Sequence, residues 1–284
     1  MSIDQLIKKY WKQIQAWLAA NSGGVVPQPA DGMVPFATDF LYGWKGGSCP
    51  LFLLSPQTSE KEVDTCIAWL KGQGYTTVNP YFFNQGDGDG KHPVNVLQVD
   101  VSGRLAKLAK NFAVVPFLWA DDSSSLTNRP SATLISDSLQ ALNKYGKYLS
   151  GVIPFLEPGD VGNTGKVLSV ISAVVQNTSL PVILHTNPVG TGPDFSKITS
   201  YLVAGVDGIA FQLGNPASHA SPGDMQKVTK AIKTRWPALK VIAMEYAFSK
   251  PSLGDAAIAV GVDGVGNECS RVAVEKLPKW LKMV

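Results

Sequence analysis

Glu157 and Glu245 stand in matching local settings, 88 positions apart (245 − 157). Each closes an apolar run: Val152-Ile153-Pro154-Phe155-Leu156 precedes the first, and Val241-Ile242-Ala243-Met244 the second. A carboxylate at the end of a buried strand serves no packing purpose, because desolvating its charge costs free energy unless it is paired or wet. Two such groups over one cleft would suit hydrolysis of a glycosidic bond. One stays protonated to assist the leaving oxygen, and the other is ionised to attack the sugar or activate water. The competing readings are structural: Glu157 as a surface carboxylate capping the helix after the Pro158-Gly159 turn, and Glu245 as a buried ion-pair partner.

The elements that must position them repeat regularly. From residue 51 onward, eight short apolar runs alternate with longer amphipathic stretches. The runs are 51–55, 77–83, 113–119, 151–157, 182–186, 208–213, 241–246 and 262–267. They are almost continuously hydrophobic, as parallel strands covered on both faces should be. Helical patterns lie between them over 60–71, 96–111, 131–148, 164–176, 194–203, 223–235 and 251–258, with a last one over 269–282. The expectation is an α/β chain folded as a (β/α)₈ TIM barrel. Alternation pairs Glu157 with Phe155 and Ile153, and Glu245 with Ala243 and Val241; the small residues below Glu245 would fit a crowded barrel interior.

Barrel active sites lie at the carboxyl ends of the strands. Beside the two glutamates, those ends carry Asn79, Tyr81, Trp119, Asp121, His185, Gln212, Tyr246 and Glu268. Amides and carboxylates hydrogen-bond sugar hydroxyls, and indole or phenol rings stack on the apolar face of a pyranose. Each has a structural alternative: loop solvation for Asp121, a cap for Glu268, core packing for Trp119 and a hydrogen-bonded core imidazole for His185. No lysine ends a strand before Lys250, which argues against Schiff-base chemistry. A single strand-end histidine argues against a metal centre, so no metal or cofactor is expected. The loop 84–90 has Gln85 and Val96 where a calcium loop needs oxygen ligands, and reads as a turn. Gly264-Val265-Gly266 is the only hint of a phosphate site, and glycine there serves close packing equally well.

Leu156-Glu157-Pro158 and Glu245-Tyr246-Ala247 resemble the strand-four and strand-seven signatures of the clan of retaining (β/α)₈-barrel glycoside hydrolases. The resemblance spans roughly residues 33–284 and implies Glu157 as acid/base and Glu245 as nucleophile. The clan places an asparagine before its acid/base, where this chain has Leu156. It often has an aromatic or histidine on strand six, where this chain has Gln212, and a tryptophan at strand eight, where Asn267 and Glu268 stand. The relation implied is remote and names no sugar.

Over residues 3–20, Ile3, Ile7, Tyr10, Ile14 and Trp17 form an amphipathic helical stripe, closed by Asn21-Ser22-Gly23-Gly24. The expected division is therefore an N-terminal helix and linker over 1–32 and a catalytic barrel over 33–284. The helix would pack on the barrel or dock to a larger assembly. The chain has 284 residues and net charge +3 without a basic block, so nucleic acid is not an expected partner. Neither a membrane span nor a secretory signal is read, and localisation stays open, including release from a cell or a place in a viral particle. Cys49, Cys66 and Cys269 are odd in number and lack C-x-x-C spacing, which favours reduced thiols. The expected partner is an oligo- or polysaccharide substrate. A non-catalytic carbohydrate-binding or structural barrel module is the alternative reading.

Overall fold

The computed structural model describes residues 53–72, 77–84, 93–119, 129–154, 164–186, 205–213, 230–234, 236–246 and 264–268. The N-terminal stripe, the loop 85–92 and the helical patterns over 194–203, 251–258 and 269–282 lie outside them, as do Cys49 and Cys269. Helices α1 (Glu60–Gly72), α2 (Ser102–Ala109), α3 (Ser131–Tyr145) and α4 (Thr164–Asn177) alternate with strands. The strands are β1 (Thr77–Val78), β2 (Tyr81–Asn84), β3 (Val94–Asn95), β4 (Ala113–Val114), β5 (Phe117–Trp119), β6 (Ile183–Thr186), β7 (Gly208–Leu213), β8 (Lys240–Tyr246) and β9 (Gly264–Glu268).

Strand pairing follows chain order. β1 and β2 pair in parallel with β4 and β5 at one constant offset, so each duo is a single strand interrupted at Pro80 and Pro116. Parallel bridges join Phe117 to Ile153 and Val152 to Val182, and β6, β7, β8 and β9 continue side by side. β3 pairs antiparallel with the other edge of β2, and each parallel strand is laid beside the parallel strand before it. Right-handed crossovers bring all the helices of such a sheet to one side. Yet both faces are buried. Phe117, Ile153, Ile183 and Ala210 on one face, and Val114, Leu118, Val152 and Ile209 on the other, are all 0% exposed.

Two expectations need correction. The run 51–55 is no strand where it is described, since 53–54 form a turn that buries Leu53 and Leu54. Its carbonyls are turned toward one cation. Arg104 of α2 donates to the carbonyl oxygens of Leu53 (3.2 Å), Ser55 and Thr58, and to Glu60 Oε1 (2.7 Å). Three carbonyls drawn to one guanidinium hold the segment in this turn. Arg104→Met should therefore cost about 2–3 kcal/mol of unfolding free energy, measured by urea denaturation. Arg104→Lys should recover little, because an ammonium lacks the planar fork.

The second correction concerns the helix expected over 96–111, which starts only at Ser102. Asn95 Oδ1 accepts the Leu97 N–H (3.0 Å) and Asp100 Oδ1 the Ser102 N–H (3.0 Å), so two Asx turns compete with helix over this stretch. The Tyr145 hydroxyl from α3 lies within hydrogen-bonding distance of the carbonyls of Val96 (2.9 Å) and Val99 (3.3 Å), holding the turn in place.

α1 opens with a reciprocal capping box. Glu62 Oε2 accepts the Ser59 N–H (2.7 Å), and Ser59 Oγ accepts the Glu62 N–H (3.3 Å). Glu60 and Asp64 of this helix pair with Lys107 of α2 at 2.7 and 2.8 Å. The Lys107 and Arg104 donors hold the Glu60 carboxyl below the usual carboxylate range. Such an exposed pair contributes little stability; what it gives is present at neutral pH and disappears on acidification.

Candidate functional site

Three ladders joined by two isolated bridges carry one parallel register from Thr77 to Glu268, so strand alternation sorts the residues onto two faces. One face is aliphatic over most of its width, with Val78, Val114, Leu118, Val152, Leu184, Ile209 and Val241 buried on it. The other collects Asn79, Tyr81 and Trp119, together with His185 of β6, Gln212 of β7, Tyr246 of β8 and Glu268 of β9. Trp119, Tyr246 and Glu268 end their strands, and His185 and Gln212 are penultimate. Five of these residues thus stand at carboxyl ends, where barrel sites are built, whereas Asn79 and Tyr81, expected at a strand end, lie within the strand that runs on to Asn84.

Glu245 is separated from this group by one residue of register. It is paired with Leu213 and Asn267, in the alternation set of Val241 and Ile209. Its neighbour Tyr246, paired with Glu268, belongs to the polar face. Glu157 and Asp121 lie outside the described residues.

Asn79 owes its position to a proline. The N–H groups of Val115 and Phe117 donate to the carbonyls of Val78 and Pro80, each at 3.0 Å. The Val115 carbonyl between them faces the nitrogen of residue 80, and proline has no hydrogen there. Asn79 Nδ2 fills the gap, donating to Val115 O at 2.6 Å. The rest of the amide is left over: Asn79 Oδ1 is buried and has no hydrogen-bond partner among the described residues. Asn79→Ala should destabilise the chain by about 1–3 kcal/mol by stranding that carbonyl. Adding Pro80→Ala supplies an N–H and should recover part of the loss, as read from chemical denaturation of the single and double variants.

Trp119 is a packed residue. Its ring stacks on Phe83 (centroids 4.4 Å apart, planes at 17°), and the Arg129 guanidinium lies 5.2 Å from the ring centroid. Its indole N–H donates to Ser138 Oγ (3.1 Å), and that hydroxyl donates on to the Leu134 carbonyl (2.7 Å). At 3% exposure it shapes the floor beneath the strand ends rather than standing free above them. Tyr81 is likewise buried, its ring 5.6 Å from that of Phe117.

Asp207, just before β7, was not anticipated as a positioning residue. Its carboxylate accepts the Val182 N–H (2.9 Å), and its own N–H donates to the Val182 carbonyl (2.9 Å), tying β7 to β6 at their amino ends. Although the residue keeps an exposed surface, partial desolvation pushes its carboxyl above the ordinary range, and the Val182 N–H opposes that shift. Among the described residues, no cluster of three or more His, Cys, Asp or Glu is placed to hold a metal, and no helix is long and apolar enough to cross a membrane. Cys66 is buried and forms no disulfide among the described residues.

No family model matches the sequence, and no curated protein matches it. Similar solved structures do exist. A family 1 β-glucosidase from Thermotoga maritima has a TM-score of 0.53 at 9% identity, over 85% of this chain and 88% of that one. The GH53 catalytic domain of Ignisphaera aggregans has a TM-score of 0.52 at 16% identity, over 85% and 87%. A putative deoxyribose-phosphate aldolase from Coccidioides immitis has a TM-score of 0.51 at 12% identity, over 91% and 92%. Glycosidase and aldolase stand side by side at these identities, so the likeness establishes the fold alone. The chain is an α/β protein similar in architecture to TIM-barrel proteins.

Proposed function

We propose that the chain is a glycoside hydrolase acting on an oligo- or polysaccharide, built on a closed (β/α)₈ barrel with the N-terminal helix packed on it or docked to an assembly. Closure is supported by the chain order of the parallel strands together with burial on both faces, since a sheet with helices on one side must curl on itself to cover the other. The observation that carries the functional reading is that Trp119, His185, Gln212, Tyr246 and Glu268 fall on one sheet face at the carboxyl ends of β5 to β9. Asn79, Tyr81, Trp119, Asp121, His185, Gln212 and Tyr246 would form the sugar subsite, with the two aromatics nearest Asn79 shaping its floor. Glu157 would be the acid/base. Glu245 and Glu268, at the ends of β8 and β9, are the two candidates for the second carboxylate, the first by signature and the second by register.

The test is hydrolysis itself. The full chain is incubated with 4-nitrophenyl glycosides of several sugars and with soluble polysaccharides, and new reducing ends are counted. Cleavage is the expected result. Binding without cleavage would make the barrel a carbohydrate-binding module and overturn the enzymatic reading. A carboxyl separation of about 5–5.5 Å goes with retention of anomeric configuration, and about 6.5–9.5 Å with inversion. NMR of the first-formed anomer decides between them.

A further inference from the structure

The register of β7, β8 and β9 bears on which carboxylate completes the site. We infer that Glu268, rather than Glu245, is the second carboxylate and acts as the nucleophile, an inference that rests on the glycosidase reading above. Glu268 ends β9 and is paired with Tyr246. Gln212 is paired with Met244, two residues before Tyr246, and His185 with Ala210, two before Gln212. A step of two keeps a residue on the same face of a sheet, so His185, Gln212, Tyr246 and Glu268 share one face across four neighbouring strands. Glu245 is one step out of phase and belongs to the set of Leu213, Ile209 and Val241.

The opposite assignment requires a break in register. A one-residue slip or bulge near the end of β8 would exchange the faces of Glu245 and Tyr246. The pairing of β8 with both neighbours is continuous there: Leu213, Glu245 and Asn267 are level, and Tyr246 is level with Glu268.

In the step assigned to it, a Glu268 carboxylate oxygen attacks the anomeric carbon. The bond from that carbon to the leaving oxygen breaks as the acid delivers its proton there. Water then attacks the same carbon, the glycosyl ester bond breaks to regenerate the Glu268 carboxylate, and the proton of the water returns to the first carboxylate.

The experiment compares Glu268→Ala with Glu245→Ala in the full chain, on the 4-nitrophenyl glycoside that the wild type turns over fastest, with and without sodium azide. Azide fits the space left by a missing nucleophile and yields a glycosyl azide of inverted configuration. Expected for Glu268→Ala is a loss of kcat on the order of 10⁴-fold, with azide restoring turnover and the glycosyl azide forming. Glu268→Gln, which keeps the side-chain volume, should show the loss with an unchanged thermal unfolding midpoint, separating chemistry from misfolding. Glycosyl azide from Glu245→Ala and not from Glu268→Ala overturns the inference and leaves the glycosidase reading standing. A wild type that cleaves no glycoside overturns both.

Discussion

Glu157→Gln is expected to slow hydrolysis of an unactivated glycoside by about 10²–10⁴-fold, the usual contribution of a positioned general acid. The size of the loss should depend on the leaving group. A sugar or alkyl oxygen needs a proton as its bond breaks, whereas a dinitrophenolate departs without one. Glycosylation of the variant by a dinitrophenyl glycoside should therefore stay close to the wild-type rate. The second step still needs a base to activate water, so a burst of phenolate followed by a slow steady state is the expected trace. The alkaline limb of the pH–rate profile should vanish with the acid that produces it. Equal kcat/KM for variant and wild type on the unactivated substrate would remove Glu157 from the chemistry.

Trp119→Ala is expected to cost about 3–5 kcal/mol of stability, the usual penalty for emptying a buried indole site. The loss has identifiable parts. Phe83 loses its stacking partner at 4.4 Å, the Arg129 guanidinium loses the ring beside it, and Ser138 loses the donor on its hydroxyl. Trp119→Phe should cost less, since a phenyl ring keeps most of the stacking and gives up only the indole hydrogen bond and some volume. Urea denaturation measures both. If Trp119→Ala unfolds at the wild-type midpoint while sugar binding falls, the ring serves the ligand and not the fold.

The order of the strands could be read from the sequence because apolar runs separated by amphipathic stretches admit few arrangements. Runs two to eight all contribute sheet pairing, and the patterns at 60–71, 131–148 and 164–176 are helices, the second finishing as a 3₁₀ turn over Gly146–Tyr148. The run at 51–55 misled because Leu51-Phe52-Leu53-Leu54 has the composition of a strand; what bends it is a guanidinium that arrives from Arg104, 51 positions beyond Leu53. The register was not legible at all. Alternation within β8 correctly groups Glu245 with Val241 and Ala243, but nothing inside one strand says which of its two faces looks toward the site. That follows only from hydrogen bonds to neighbours. Two smaller signals were available. Ser59-Glu60-Lys61-Glu62 spells a capping box, and Asn79-Pro80 in an apolar run announces a missing donor with a side chain at hand to replace it.

The order of pairing also bears on how quickly the chain reaches its native state. Parallel partners are separated by between 22 and 36 positions (264 − 242 and 113 − 77), and the antiparallel partners of β2 and β3 by 10 and 12 (94 − 84 and 95 − 83). Loops of such similar size carry nearly equal closure entropies, which grow only logarithmically with length. The low contact order among these strands favours assembly one β–α–β unit at a time, each docked hairpin-like segment offering its free edge to the next.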